Sequence, residues 1–267
     1  MSVAVTSLQP LRFAANISML FGEYEPLDRI DAAARAGFSA VEFLFPYEHG
    51  VADIKARLAD CNIALNHLNT RPGNSGEFGL AAQPGREAEF ARVFDQALDY
   101  ASRLGALTIH CMSGVVLPQE RSRAKDTFLR NMESASRKAQ GTGVTLVVEP
   151  INQYDRANFF VQTSDEIVGL LQEIDKPNVK LLFDFYHIQI MEGDLTRRLG
   201  CHWDYIGHFQ FASVPLRQEP DLGEVNLKPL LWEIQRRGWG GYLGAEYRPA
   251  GRTEDGLSWM KTLAPGS

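Results

Sequence analysis

The chain has no apolar stretch approaching the roughly 20 residues that a bilayer-crossing helix needs, so no membrane span is expected. Cysteine is scarce: Cys61, Cys111 and Cys201 are widely spaced, odd in number and form no C-x-x-C pair. A zinc or redox pair is therefore not expected, and reduced, buried thiols are. A basic excess is missing as well. Lys and Arg number 27 against 33 Asp and Glu, a formal charge of −6, whereas affinity for nucleic acid comes from clustered cations on phosphates. Small molecules rather than nucleic acid are the expected partners, and homo-oligomerisation is left open. Residues 1–10 lack the basic start and continuous apolar centre of a secretory signal, which predicts a cytoplasmic protein. No low-complexity tract, charge block or linker interrupts the chain, so residues 1–267 read as one domain with 1–10 as an N-terminal extension.

What is present is an alternation. A short β-rich run, a turn, an amphipathic helix and a Gly or Pro stop recur about eight times between residues 11 and 263. The strand runs fall at 11–18, 40–45, 63–69, 107–112, 144–149, 179–184, 206–211 and 242–246. Their continuous apolar character fits strands covered by helices on one face and by a barrel interior on the other. Helices read at 27–36, 87–104, 119–140 and 165–174, the first stopped by Gly37 and the second by Gly105, with a last one starting near Thr253. The fold class is therefore α/β, a single (β/α)8 TIM barrel of the size such barrels usually have. Two connections, 70–85 and 213–223, are long, rich in turn residues and follow strands, which makes them candidates for substrate closure.

Four strand runs put a side chain that can hold a metal at the end of an apolar stretch: Glu149, Asp184 and Glu246 as the last residue, and Gln210 within 206–211. Parallel strands of a barrel would deliver all four to one rim, and three carboxylates with an amide suit a hard dication such as Mg²⁺ or Mn²⁺. A lone Glu at a strand end is as often a helix cap or an Arg partner; four at corresponding ends shift the balance. In His208-Phe209-Gln210 the alternation sends His208 and Gln210 to the same side, so one of the two should face the metal, with His208 the fallback ligand.

The segments LRFAANISMLFGE (11–23), VEFLFPY (41–47), VEPIN (148–152), DFYH (184–187), GHFQ (207–210) and GAEYRP (244–249) closely resemble the hydroxypyruvate isomerase family, nearly end to end. The resemblance implies a xylose-isomerase-type barrel with a divalent metal that interconverts ketone and aldehyde forms of small hydroxy acids. It implies Glu149, Asp184, Gln210 and Glu246 as metal-binding residues and Glu149 and Glu246 as the acid/base pair. Chemistry agrees: moving a carbonyl to the adjacent carbon needs a proton removed and another returned, and two carboxylates across the substrate can do both. A cation on both substrate oxygens would offset the charge of the intermediate enediolate.

His187, three residues after Asp184, is placed to donate a hydrogen bond to substrate, as in related sugar epimerases. Arg217 in the second long loop offers a planar fork for a substrate carboxylate. His67 is assigned to substrate contact at the end of the third strand, with Glu42 holding it or a loop in place, and His110 and Cys111 read as core and lining. Hydroxypyruvate is the expected substrate, 2-oxo-tetronate the alternative and a ketose the third. From other classes, a non-catalytic sugar-acid-binding protein would not need Glu149 opposite Glu246. A metal-dependent abasic-site endonuclease would need a multinuclear zinc cluster and a basic face that six scattered histidines and this charge do not suggest.

Overall fold

The computed structural model describes residues 9–263. The eight strands are β1 (Arg12–Asn16), β2 (Ala40–Glu42), β3 (Ala64–Asn69), β4 (Thr108–His110), β5 (Thr145–Val148), β6 (Val179–Asp184), β7 (Ile206–Phe211) and β8 (Tyr242–Ala245). They pair in chain order, all parallel, and β8 closes on β1. Each lies within its expected run. Of the expected N-terminal extension, residues 1–8 fall outside the described part.

Between the strands run α1 (Asp28–Arg35), α2 (Val51–Asp60), α3 (Glu87–Leu104), α4 (Arg121–Ala139), α5 (Ser164–Ile174), α6 (Phe185–Met191), α7 (Leu195–His202) and α8 (Leu227–Arg236). In α3, Phe90, Phe94, Ala97 and Ala101 recur at helical spacing and are all buried, each phenyl ring contributing roughly 2–3 kcal/mol. Gly105, in the left-handed region at φ 76°, ends that helix. A reciprocal cap starts α5: Thr163 Oγ1 accepts the Glu166 backbone N–H while the Glu166 carboxylate accepts that of Thr163. The helix expected to start near Thr253 is a 3₁₀ turn at Thr253–Gly256 followed by α9 (Trp259–Thr262). Trp259 is fully buried, its ring 5.2 Å from that of Phe13 and 5.4 Å from that of Phe211. No described helix is long and apolar enough to cross a membrane.

Strand register sets the rim. Asn16 lies beside Glu42, Asn69 beside His110, Asp184 beside Gln210, and Gln210 beside Gly244. Both long loops are tied to this rim. In the first, the Thr70 N–H donates to the His110 carbonyl and the Ala81 and Ala82 N–H groups donate to Met112 and Ser113. Gly79, at φ 137°, would set a Cβ 2.3 Å from the Met112 carbonyl oxygen, so only glycine lets the two segments touch. In the second, Arg217 accepts the Arg248 N–H on its carbonyl, which binds the loop to the exit of β8.

Candidate active site

A cavity of about 480 Å³ opens at the C-terminal ends of the strands and is lined by Glu149, His187, Arg217 and Glu246 among others. The broader concavity of about 660 Å³ beside α1, walled by Ala32, Ala36 and Met260, contains none of the strand-end carboxylates. Asp184 caps α6, its Oδ1 accepting the Tyr186 N–H at 2.8 Å, because the helix begins on the next residue. That abrupt turn carries His187 back over the strand end. Among the described residues, Glu149, Asp184 and His187 form the one group of acidic, cysteine or histidine side chains whose donor atoms all lie within 4.8 Å of one another.

Glu149 Oε1 and Asp184 Oδ2 are buried and accept no hydrogen bond. Two buried, unsatisfied carboxylate oxygens call for a cation, and hard oxygens suit a hard dication. His187 is not a third ligand of the same kind. Its Nδ1 accepts the Asn152 backbone N–H at 3.3 Å, so the ring proton sits on Nε2, which faces Glu149 Oε1 at 3.5 Å and Asp184 Oδ2 at 3.7 Å. His187 is thus a donor into the cavity. Burial, followed by the positive charge of Arg217, holds it neutral.

Glu246 stands after β8 with Oε2 accepting Arg217 Nη2 at 2.7 Å and Oε1 accepting Asn16 Nδ2 at 3.3 Å. Arg217 is nearly enclosed by acids, with Asp155 Oδ2 at 3.4 Å and Asp184 Oδ2 at 3.8 Å, and it stacks on Tyr186 at 4.8 Å. Its Nε alone has no acceptor. Burial raises the Glu149 carboxyl well above its usual range, and the charges of Glu246 and Asp184 push the same way. Burial likewise raises Asp184 against the pull of Arg217, and lifts Glu246 to about 7. Three acids sharing one guanidinium repel one another, which a dication would relieve.

Gln210 is held by its neighbour across the barrel. Its Nε2 donates to Glu42 Oε2 at 2.8 Å, leaving the amide oxygen as the atom that could ligate a metal. Glu42 Oε1 accepts His208 Nε2 at 2.7 Å, so His208, the alternative ligand, is spent on Glu42. Burial alone would raise the fully enclosed Glu42 carboxyl; His208 beside it brings it below the usual range.

A protein-family model of the xylose isomerase-like TIM barrel matches residues 30–263. The chain belongs to the xylose isomerase-like TIM barrel family. A 2-oxo-tetronate isomerase of Cupriavidus necator is 44% identical over 253 residues, 94% of this chain and 97% of that protein. The hydroxypyruvate isomerase of Escherichia coli is 38% identical over 255 residues, 94% of this chain and 98% of that one. Among solved structures, a protein titled AP endonuclease, family 2, from Brucella melitensis superposes with a TM-score of 0.93 at 41% identity, over 96% of this chain and all of that one.

Within this xylose isomerase-like barrel the strand-end reading brings Glu149, Asp184, Gln210 and Glu246 to one rim, with His187 and Arg217 beside them. His67 is different. It lies inside β3 rather than at its end, fully buried, with Nδ1 on Thr108 Oγ1 at 2.8 Å, Nε2 on Asn69 Oδ1 at 3.0 Å and its ring stacked on His208 at 4.9 Å. Both nitrogens are used within the protein, and Asn69 is the β3 residue that reaches the cavity. Sequence reasoning did not single out Asn16 or Asn152, which orient Glu246 and His187. An Asn two residues before the end of an apolar run, or just after a strand-end Glu, was the available signal. Glu42 holds Gln210, His208, Asn16 and Asn66 rather than His67. His110, read as lining, does line the cavity, with Nδ1 3.5 Å from Glu149 Oε2.

Proposed function

We propose that the protein is a divalent-metal-dependent isomerase of small 3-hydroxy-2-oxo acids, moving the carbonyl from C2 to C3. Hydroxypyruvate and 2-oxo-tetronate both contain this unit and differ only in hydrogen or hydroxymethyl on C3. Glu149 and Glu246 lining one cavity, with unsatisfied carboxylate oxygens on Glu149 and on Asp184, carry the reading. The 44% identity to a 2-oxo-tetronate isomerase favours the four-carbon acid as a second substrate beside hydroxypyruvate. One carboxylate-histidine cluster among the described residues and a charge of −6 speak against endonuclease action on DNA.

Glu149, Asp184, Gln210 and Glu246 would hold Mg²⁺ or Mn²⁺, which when bound polarises the substrate oxygens and offsets the negative charge that develops on them. One glutamate takes the proton from C3; the other delivers a proton to C2. The hydroxyl proton passes from O3 to O2, so atoms and charge balance across a cis-enediolate. His187 Nε2–H and the free Arg217 Nε–H are the donors available to those oxygens. Asn16 and Arg217 orient Glu246, and Asn152 fixes the proton on His187.

The test is NMR-detected exchange of the substrate C–H with deuterated water, using hydroxypyruvate and 2-oxo-tetronate with Mg²⁺ or Mn²⁺. Exchange by the wild type, lost by at least 10²-fold in Glu149→Gln and Glu246→Gln that still bind metal, is expected. No exchange with either acid under either metal would refute the reading.

A further inference from the structure

The cavity contains two cations whose charge is not matched by an acid. Arg156 sits over Phe78, its Cζ 3.8 Å from the ring centre, and donates Nη1 to the Asp155 carbonyl; no carboxylate pairs with it among the described residues. Arg248 is exposed at the exit of β8, and its guanidinium has no hydrogen bond or ion pair among the described residues. Arg217, the residue that sequence reasoning offered to a substrate carboxylate, has its charge already met by Glu246, Asp155 and Asp184. Asp155, the acid closest in sequence to Arg156, is committed to Arg217 and to the Tyr186 hydroxyl.

Charge accounting sharpens the contrast. The cavity floor holds three carboxylates, Glu149, Asp184 and Glu246, against one guanidinium. A dication there offsets those three acids, and Asp155, which shares Arg217, leaves a net negative charge, so the floor has no net attraction for a further anion. A substrate that carries its own carboxylate needs a counter-charge elsewhere in the same cavity. We propose that Arg156 and Arg248 form a carboxylate subsite at the cavity mouth, which selects 3-hydroxy-2-oxo acids over neutral ketoses of the same length. The proposal rests on the isomerase reading for the identity of the substrate, and on the arrangement of charges for the subsite. The Phe78 ring beneath the Arg156 guanidinium restrains it, so a carboxylate meets a held fork; Arg248, unrestrained, lines the same cavity and supplies the second charge.

The experiment compares pyruvate with the neutral pyruvamide by titration into wild type, Arg156→Gln/Arg248→Gln and Arg156→Lys/Arg248→Lys, each loaded with Mg²⁺. Wild type should bind pyruvate at least tenfold tighter than pyruvamide. The glutamine pair should lose that preference and the lysine pair keep most of it, which separates lost charge from lost folding. With hydroxypyruvate, the glutamine pair should show its defect as a KM raised tenfold or more. A wild type without preference, or a preference that survives in the glutamine pair, overturns the subsite. Deuterium exchange by the wild type judges the isomerase reading separately: an inert wild type whose pyruvate preference depends on both arginines would leave the subsite standing and remove the isomerase.

Discussion

Glu42→Gln is the sharpest perturbation of the rim. The wild-type carboxylate is fully buried and accepts four side-chain donors: His208 Nε2 at 2.7 Å, Gln210 Nε2 at 2.8 Å, Asn66 Nδ2 at 3.3 Å and Asn16 Nδ2 at 3.4 Å. A glutamine keeps the shape but turns one acceptor oxygen into an NH₂ that faces donors. A hydrogen bond to a buried charged group contributes about 1.5–3 kcal/mol, and the two short ones dominate, so a loss of about 3 kcal/mol is expected. In a domain of this size that lowers Tm by about 6–12 °C. A second consequence is local. If the new NH₂ lies against Gln210, that amide is relieved by rotating, which exchanges its free oxygen for nitrogen at the rim and weakens binding of a hard dication, by about tenfold for each 1.4 kcal/mol lost. Scanning calorimetry of the metal-free protein reads the first effect and Mn²⁺ titration the second. A variant that melts with wild type and binds Mn²⁺ equally well would refute the idea that Glu42 holds Gln210 in its orientation.

Gly244→Ala attacks the same contact from β8, since its Cβ would lie 2.3 Å from Glu42 Oε1; a loss of at least about 2 kcal/mol in urea unfolding is expected, and wild-type stability would show that Glu42 moves freely. In His67, burial, aided by the charge of His208, lowers the pKa to about 3, against roughly 6.5 in an unfolded chain. Between those values the unfolded chain takes up a proton that the folded one refuses, so stability should fall by roughly 1 kcal/mol per pH unit as pH drops below about 6.5, with no effect above it. Urea midpoints between pH 7 and pH 5 should show a flatter slope in His67→Gln, and an unchanged slope would remove His67 as the cause. Arg217→Met leaves Glu149, Asp184 and Glu246 facing one another without a cation, which costs about 3 kcal/mol in chelator-treated protein. Added Mg²⁺ should therefore raise the Tm of the variant more than that of wild type, and equal shifts would count against the shared-charge account.

Glu149, Asp184, Gln210 and Glu246 were legible because each lies at or one residue from the end of an apolar run, and parallel strands in register must present their ends together. His187 and Arg217 were legible from their offset to those ends. The role of Glu42 was not, since its partners His208 and Gln210 are 166 and 168 residues away in sequence and nothing local distinguishes a hub from a helix cap. His67 was misplaced for a related reason: β3 runs to Asn69, so a histidine two residues short of the end falls one layer below the cavity. Burial of the tryptophans was not legible either: Trp232 on α8 is 52% exposed, whereas Trp239 meets Phe209 edge-on at 4.8 Å.

Periodicity, turn residues and the spacing of strand ends by themselves determined the barrel, its strand runs and which carboxylates share a rim, because those depend on contacts local to each βα unit and on the regular geometry of parallel pairing. Only the closed barrel decided that Gln210 keeps a free oxygen while His208 Nε2 is taken by Glu42, that His187 donates through Nε2, and that Arg217 is already matched while Arg156 and Arg248 have no acid among the described residues. Each of those outcomes is set by which side chain from a distant strand arrives first at a given donor or charge, and inside a low-dielectric floor one such pairing excludes the next.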